Sequence, residues 1–360
     1  MERRSAARAA VTSGAPDKVN PTDCTALMQV AHTPAHAIPD NTGMPTSPHL
    51  LIPLAASASE GCRKALATLH LPHLQRLLNR LTATVPDRGE DTSLSPPHER
   101  ALARHYGLPV IDGQIPWAAQ EAAQASNENS AWAFITPCHW QVMTDHIVMA
   151  PPATLELAEA ESRAVLAAVQ PFFEEDGIRL TYATPIRWLA QGEIFRGLAT
   201  ASLDRVVSGV GTRNVDEWMP PTAQGGPLRR LQSEMQMLLY THAVSDARAE
   251  RGLFPINSFW VSGSGALASP PGPQPAPTMP LTLLQAAQFE DWAGWTAAWQ
   301  HIDATACADL LAALDQGTAV QLTLCGESNA QTFELAPRSF FQKISRLLSP
   351  QRLFTVLEQL

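Results

Sequence analysis

Apolar residues recur at three- and four-residue intervals through Leu228, Leu231, Met235, Leu238 and Leu239, and His242 continues the stripe. That spacing predicts a helix with one buried face, closed by Gly252. The period then changes. Phe254, Ile256, Ser258 and Trp260 alternate with Pro255, Asn257, Phe259 and Val261, which predicts a strand, and Gly263 and Gly265 predict a tight glycine loop at its end. A helix, a strand and a glycine loop in succession form a unit whose loop lies where α/β proteins hold ligands.

The rest of the chain alternates in the same way. His49 to Leu54 is a short apolar run of buried-strand type, and Leu74, Leu77, Leu78 and Leu81 mark a helix starting near Pro72. Ser95-Pro96-Pro97 caps a helix running to Tyr106, and another short helix follows near Pro116-Trp117. Residues 131–149 read as a hairpin or two strands, Thr154 to Phe173 as a helix, and Ile178 to Tyr182 and Ile186 to Leu189 as strands. Residues 268–280, ASPPGPQPAPTMP, are a proline-rich connector expected to stand outside sheets and helices. After it, Phe289, Trp292, Trp295, Trp299 and Ile302 share one helical face and predict a core stripe. Asp303 is placed to cap the next helix, which Gly317 ends, and Val320, Leu322 and Leu324 form the last clear strand before two terminal amphipathic helices. Residues 1–47 have no apolar period and predict a flexible tail. The expected organisation is therefore that tail followed by one α/β domain over 48–360.

With 360 residues and 45% hydrophobic content the chain can bury a sizeable core. A formal charge of -9, spread without a basic stripe, argues against nucleic acid or an anionic membrane as partner. Five dispersed cysteines and the lack of any CxxC suit reduced thiols. No apolar stretch has signal-peptide or membrane-span length, so the expected location is the cytoplasm.

His242, Arg248, Gly252, Pro255, Asn257, Gly263 and Gly265 together resemble a motif run of the archaeal-type cofactor-independent phosphoglycerate mutases, of the alkaline-phosphatase superfamily. With TPCHWQVMTDHIVM at 136–149, PIRWLAQGE at 185–193 and LTLCGE at 322–327, the run resembles the bacterial RpfE-type regulatory proteins more closely. The resemblance implies a three-layer α/β sandwich of that superfamily, shortened. It also marks departures. In the mutases the first strand ends in Asp-Gly, whereas here no carboxylate lies between His49 and Ser59. The late Gly-Asp-His turn is represented by Gly326-Glu327-Ser328. The stretch TASLDRVV places Asp204 at the position of a family aspartate and Arg205 at that of the proline after it.

Those enzymes need two divalent metals held by Asp and His from several strand ends. That ligand set is missing here, so the expectation is a non-catalytic regulatory or metabolite-sensing protein with no metal and no cofactor. The competing reading is an active mutase or metal-dependent phosphohydrolase, which would require a divalent metal. The candidate ligand site is His242, Arg248, Asn257, Gly263 and Gly265, joined by Arg187 and His139. Arginine offers a fork of donors, asparagine a donor and an acceptor, and glycines expose backbone N–H groups to an anion. The resemblance places His139 in a segment that covers substrate. Cys138 and His139 leave opposite faces of a strand, which suits no nucleophile–base pair. The expected partner is an anionic phosphorylated metabolite or a protein.

Overall fold

The computed structural model describes residues 47–123, 129–207, 213–269, 271–335 and 353–360. The predicted tail, His32 and His36 within it, and most of the C-terminal helical region lie outside the described residues. The strands in chain order are β1 (His49–Ile52), β2 (Thr82–Ala83), β3 (Ala131–Cys138), β4 (Trp140–Val142), β5 (Ile147–Met149), β6 (Arg179–Thr184), β7 (Arg187–Gln191), β8 (Ser258–Ala266), β9 (Gln321–Cys325) and β10 (Ala330–Glu334). The helices are α1 (Glu60–Leu66), α2 (Pro72–Arg80), α3 (Pro97–His105), α4 (Trp117–Ala122), α5 (Glu159–Glu175), α6 (Leu203–Val206), α7 (Thr222–Tyr240), α8 (Ala243–Glu250), α9 (Thr282–Gln288), α10 (Trp292–Ile302), α11 (Ala308–Asp315) and α12 (Leu353–Leu357).

The fold is α/β, built on two four-stranded sheets. The first has the order β1-β9-β10-β2, with β1 and β9 parallel and Leu50 opposite Leu322. The β1–β9 pair is almost wholly buried because both of its faces are covered, whereas β10 and β2 are more polar and partly exposed. Leu50, Ile52, Leu322 and Leu324 pack with residues of α2, α10 and α11, while Leu51 and Cys325 pack with Ala101 of α3 on the other side. That is the helix, sheet, helix layering of a shortened sandwich. His49, on the α3 face, contacts Thr323 Oγ1 through Nε2 at 2.9 Å and His105 Nδ1 at 3.2 Å. Burial, then the neighbouring His105, lower its pKa to about 4.

The second sheet, order β6-β7-β3-β8, is antiparallel and comes from the segment between α4 and the connector. Val165, Val169 and Phe173 of α5 and Leu228, Leu231 and Met235 of α7 fill one face. The central helix departs from its predicted bounds. It breaks at Thr241, and His242 caps the separate helix α8 by accepting from Val244 N–H at 3.2 Å.

The strand that follows begins only at Ser258 and continues through Gly263 and Gly265, so those glycines form no loop. The reason is steric. Gly263 has φ +60, and a Cβ there would lie 2.9 Å from Phe134 Cδ2 and 3.1 Å from Trp117 Cβ. At Gly265, φ is +149 and a Cβ would lie 2.9 Å from Pro116 Cβ. The glycines let α4 and its preceding Pro116 close onto β8.

Two other expectations change in detail. Asp303 sits in a π-helical turn between α10 and α11 and accepts from His73 and Leu74 N–H, so it caps α2 rather than its own helix. The connector is not wholly outside the sheet, because Thr278 exchanges backbone hydrogen bonds with His49 and Leu51 beside β1. No helix among the described residues is long and apolar enough to cross a membrane.

Candidate functional site

At the C-terminal ends of the parallel pair, β1 runs into Leu54–Ala58 and β9 into the turn 325–329. Ala55 N–H donates to Cys325 C=O at 2.7 Å, which keeps the two turns side by side. Trp295 and Trp299 are fully buried, and their indole N–H groups donate to the carbonyls of Leu54 and Ala55 at 3.0 and 3.2 Å. Trp295, Trp299 and Ile302 of the predicted stripe thus pack as core while the two indoles tie down the first turn, where Leu54 has φ +47, whereas Trp292 is partly buried and Phe289 ends the preceding helix, exposed. Glu327 accepts from Ser57 Oγ and from Ala58 N–H, each at 3.1 Å.

Two helix starts approach these turns. Ser202 caps α6 by accepting from Asp204 N–H, and its hydroxyl donates to Glu99 Oε1 of α3 at 2.5 Å. His98, beside Glu99 on α3, places Nε2 3.1 Å from Asp204 Oδ2, and Gln288 of α9 donates to Asp204 Oδ1 at 3.3 Å. One ligand-type atom from each of His98, Glu99 and Asp204 falls within a mutual span of 4.8 Å. Asp204 also borders a pocket whose walls are mainly apolar, with Pro152, Ile186, Leu203, Val207 and Leu284 among them.

Arg205 follows Asp204 on α6 and is 6% exposed. Its Nη1 donates to Glu327 C=O at 3.1 Å, but Nε and Nη2, the two nitrogens of one fork, have no hydrogen-bond partner among the described residues. Burial first, then the charges of Arg213 and Arg100, hold its pKa below the usual arginine range, against the opposing pull of Glu99 and Asp112. Arg100 differs: Asp87, Ser95 C=O and Ser328 C=O accept from its three nitrogens. A buried guanidinium with an unanswered fork costs free energy unless an acceptor meets it. Two N–H donors side by side on one guanidinium match the geometry of a small oxyanion.

The residues predicted from the central stretch are placed differently. Arg248 is fully buried, with Nε donating to Phe254 C=O at 2.8 Å, Nη1 to Glu161 at 2.8 Å and Nη2 to Leu155 C=O at 2.5 Å. Asn257 clasps Trp140, accepting from its N–H at 2.7 Å and donating to its C=O at 2.8 Å. His139 Nδ1 lies 2.9 Å from Pro255 C=O, and its ring stacks on Phe254. His139, Arg248 and Asn257 therefore meet around residues 254–257, where all three hold backbone. Gly263 and Gly265 lie farther along β8, with Gly265 opposite Trp132 while Ser258 is opposite Cys138 at the far end of β3. Arg187 pairs with Glu121 at 3.5 Å and lies over the Phe134 ring. The seven residues do not surround one point.

The Arg205 corner draws on His98, Glu99, Ser202, Arg205 and Glu327, which the sequence does not group. Arg205 and the Gly326-Glu327-Ser328 turn stood out in the sequence only as departures from the resembling family's pattern, not as members of one site.

No family model matches the chain, and no curated protein does. Among solved structures, the cofactor-independent phosphoglycerate mutase from Thermoplasma acidophilum DSM 1728 is 10% identical with a TM-score of 0.32, covering 80% of this chain and 89% of that one. The PH0037 protein from Pyrococcus horikoshii is 10% identical with a TM-score of 0.38, covering 81% and 88%. A likeness of that size decides neither family nor activity.

Proposed function

We propose that the chain is a non-catalytic regulatory or sensing protein of the RpfE type that binds a small phosphorylated or carboxylated metabolite at Arg205. One observation carries the reading: a nine-tenths buried guanidinium whose Nε and Nη2 have no acceptor among the described residues, beside the turns that end a parallel strand pair. Guanidinium nitrogens in that arrangement match the two oxygens of a phosphate or carboxylate. The regulatory half of the proposal rests on the sequence resemblance alone.

Titration calorimetry with inorganic phosphate, 3-phosphoglycerate and simple carboxylates tests it. Arg205→Met should weaken the binding anion by about 10–100-fold, roughly 1.5–3 kcal/mol for a charge-assisted bond. An unchanged affinity in that variant, or no anion bound by the wild-type chain, overturns the site. The cluster of His98, Glu99 and Asp204 favours a second reading, a metal-dependent phosphohydrolase. Turnover of 3-phosphoglycerate or a phosphate monoester with added Mn2+ or Zn2+ would establish that reading in place of the first.

A further inference from the structure

We infer that His98, Glu99 and Asp204 form a site for one divalent first-row transition-metal ion. The sequence keeps Asp204 some 106 positions from His98 and its neighbour Glu99, and the contact of α3 with α6 brings them together. His98 Nε2 and Asp204 Oδ2 are 3.1 Å apart, a separation that two ligands on one ion adopt when each bond is about 2.0–2.2 Å. A carboxylate oxygen of Glu99 lies within 4.8 Å of both, which makes the three residues one candidate ligand set.

The donors select the metal class. One imidazole nitrogen with two carboxylate oxygens suits zinc, manganese, iron or cobalt, whereas magnesium and calcium take oxygen donors. For His98 to bind through Nε2, that nitrogen must carry its lone pair, so the ion takes the place of a proton between His98 and Asp204. The surroundings supply an orienting shell: Ser202 Oγ donates to Glu99 and Gln288 Nε2 donates to Asp204. Asp204 also lines the apolar pocket next to α9.

An independent observation points to a ligand at the same corner. Arg205, the residue after Asp204, is 6% exposed with two nitrogens unanswered among the described residues, and Glu99 is close enough to act on its charge. A cation on one side and a guanidinium on the other would share an oxyanion. The metal's own ligands, His98, Glu99 and Asp204, are different side chains from the Arg205 fork of the anion reading, and metal binding has its own readout.

The test is calorimetric titration of ZnCl2 into full-length protein freed of metal by a chelator, with a His32→Gln, His36→Gln variant to remove the histidines of the N-terminal segment. One ion per chain at micromolar affinity is expected in both proteins. His98→Gln and Asp204→Asn should each weaken it by at least the ~10–100-fold that even an outer-shell change costs. Absence of binding tighter than millimolar, binding lost only in the His32 and His36 variant, or binding unchanged in the other two overturns the inference. Should those two fail to fold, the wild-type protein decides through Co2+. Visible d–d bands of a nitrogen and oxygen site, with the His98 ring resonances shifted by the ion, support it, and a spectrum matching free aqueous Co2+ refutes it. Binding of ZnCl2 with no bound phosphate would leave the metal site standing and the Arg205 reading refuted.

Discussion

The guanidinium of Arg205 donates from Nη1 to the main-chain carbonyl of Glu327 at 3.1 Å, joining the short helix α6 to the turn at the end of β9. Glu327 in turn receives the hydroxyl of Ser57 and the N–H of Ala58 from the turn after β1. Three segments far apart in sequence therefore meet at Glu327, beside a buried cation that keeps two donors unspent among the described residues.

Arg205 and Arg248 are both buried, yet their removal should have different consequences. Arg248 answers acceptors on Phe254, Leu155 and Glu161, so Arg248→Met strands buried oxygens and should lower stability by about 3–5 kcal/mol. Arg205→Met loses one carbonyl bond while removing a desolvated charge near Arg100 and Arg213, and the free protein should change by no more than about 1 kcal/mol. Urea unfolding of the two variants checks this, and equal losses would contradict it.

Gly263→Ala should destabilise the chain without touching the Arg205 corner. The added methyl meets Phe134 and Trp117 at about 3 Å, and φ +60 is costly for alanine, so a loss of about 1–3 kcal/mol is expected. An alanine variant as stable as wild type would mean that α4 does not pack on β8 as described.

These outcomes bear on what the sequence made legible. That β1 and β9 share a sheet was legible in the apolar run His49–Leu54 and in the alternation of Val320, Leu322 and Leu324 with Gln321 and Thr323, while their parallel pairing shows only in the fold. The glycines at 263 and 265 were visible, but the reason for them was not: a turn and a close helix approach both demand glycine, and only the position of Trp117 and Pro116 distinguishes them. Arg248 and Asn257 carry the chemistry of ligand contacts, and the same donors serve equally well to hold Phe254, Leu155 and Trp140 in place. Asp303 reads as a local cap because its acceptor atoms suit any helix start, and the one it meets lies some 230 residues away in sequence. The His98, Glu99 and Asp204 cluster leaves no local pattern at all, since it depends on the packing of two helix starts.

Stability should depend on pH through His49. Its folded pKa of about 4 lies below the ordinary 6.5, so between those values the unfolded chain binds more protons than the folded one. Stability is therefore fully present above about pH 6.5 and falls as pH drops toward 4, by an amount on the order of 3 kcal/mol. His49→Gln should flatten the slope of unfolding free energy against pH in this window. Asp87, whose carboxylate is held low by Arg104 and Arg100 against the opposing effect of burial, contributes only at lower pH. An identical slope in the variant would contradict the assignment.

The most direct test of the anion reading is crystallographic: crystals grown or soaked with tungstate, an electron-dense analogue of phosphate, with anomalous difference density measured at the tungsten edge. A peak placing tungstate oxygens within hydrogen-bond reach of Arg205 Nε and Nη2 is the predicted result. Ordered water alone against those two nitrogens, with tungstate absent or bound elsewhere, would contradict it.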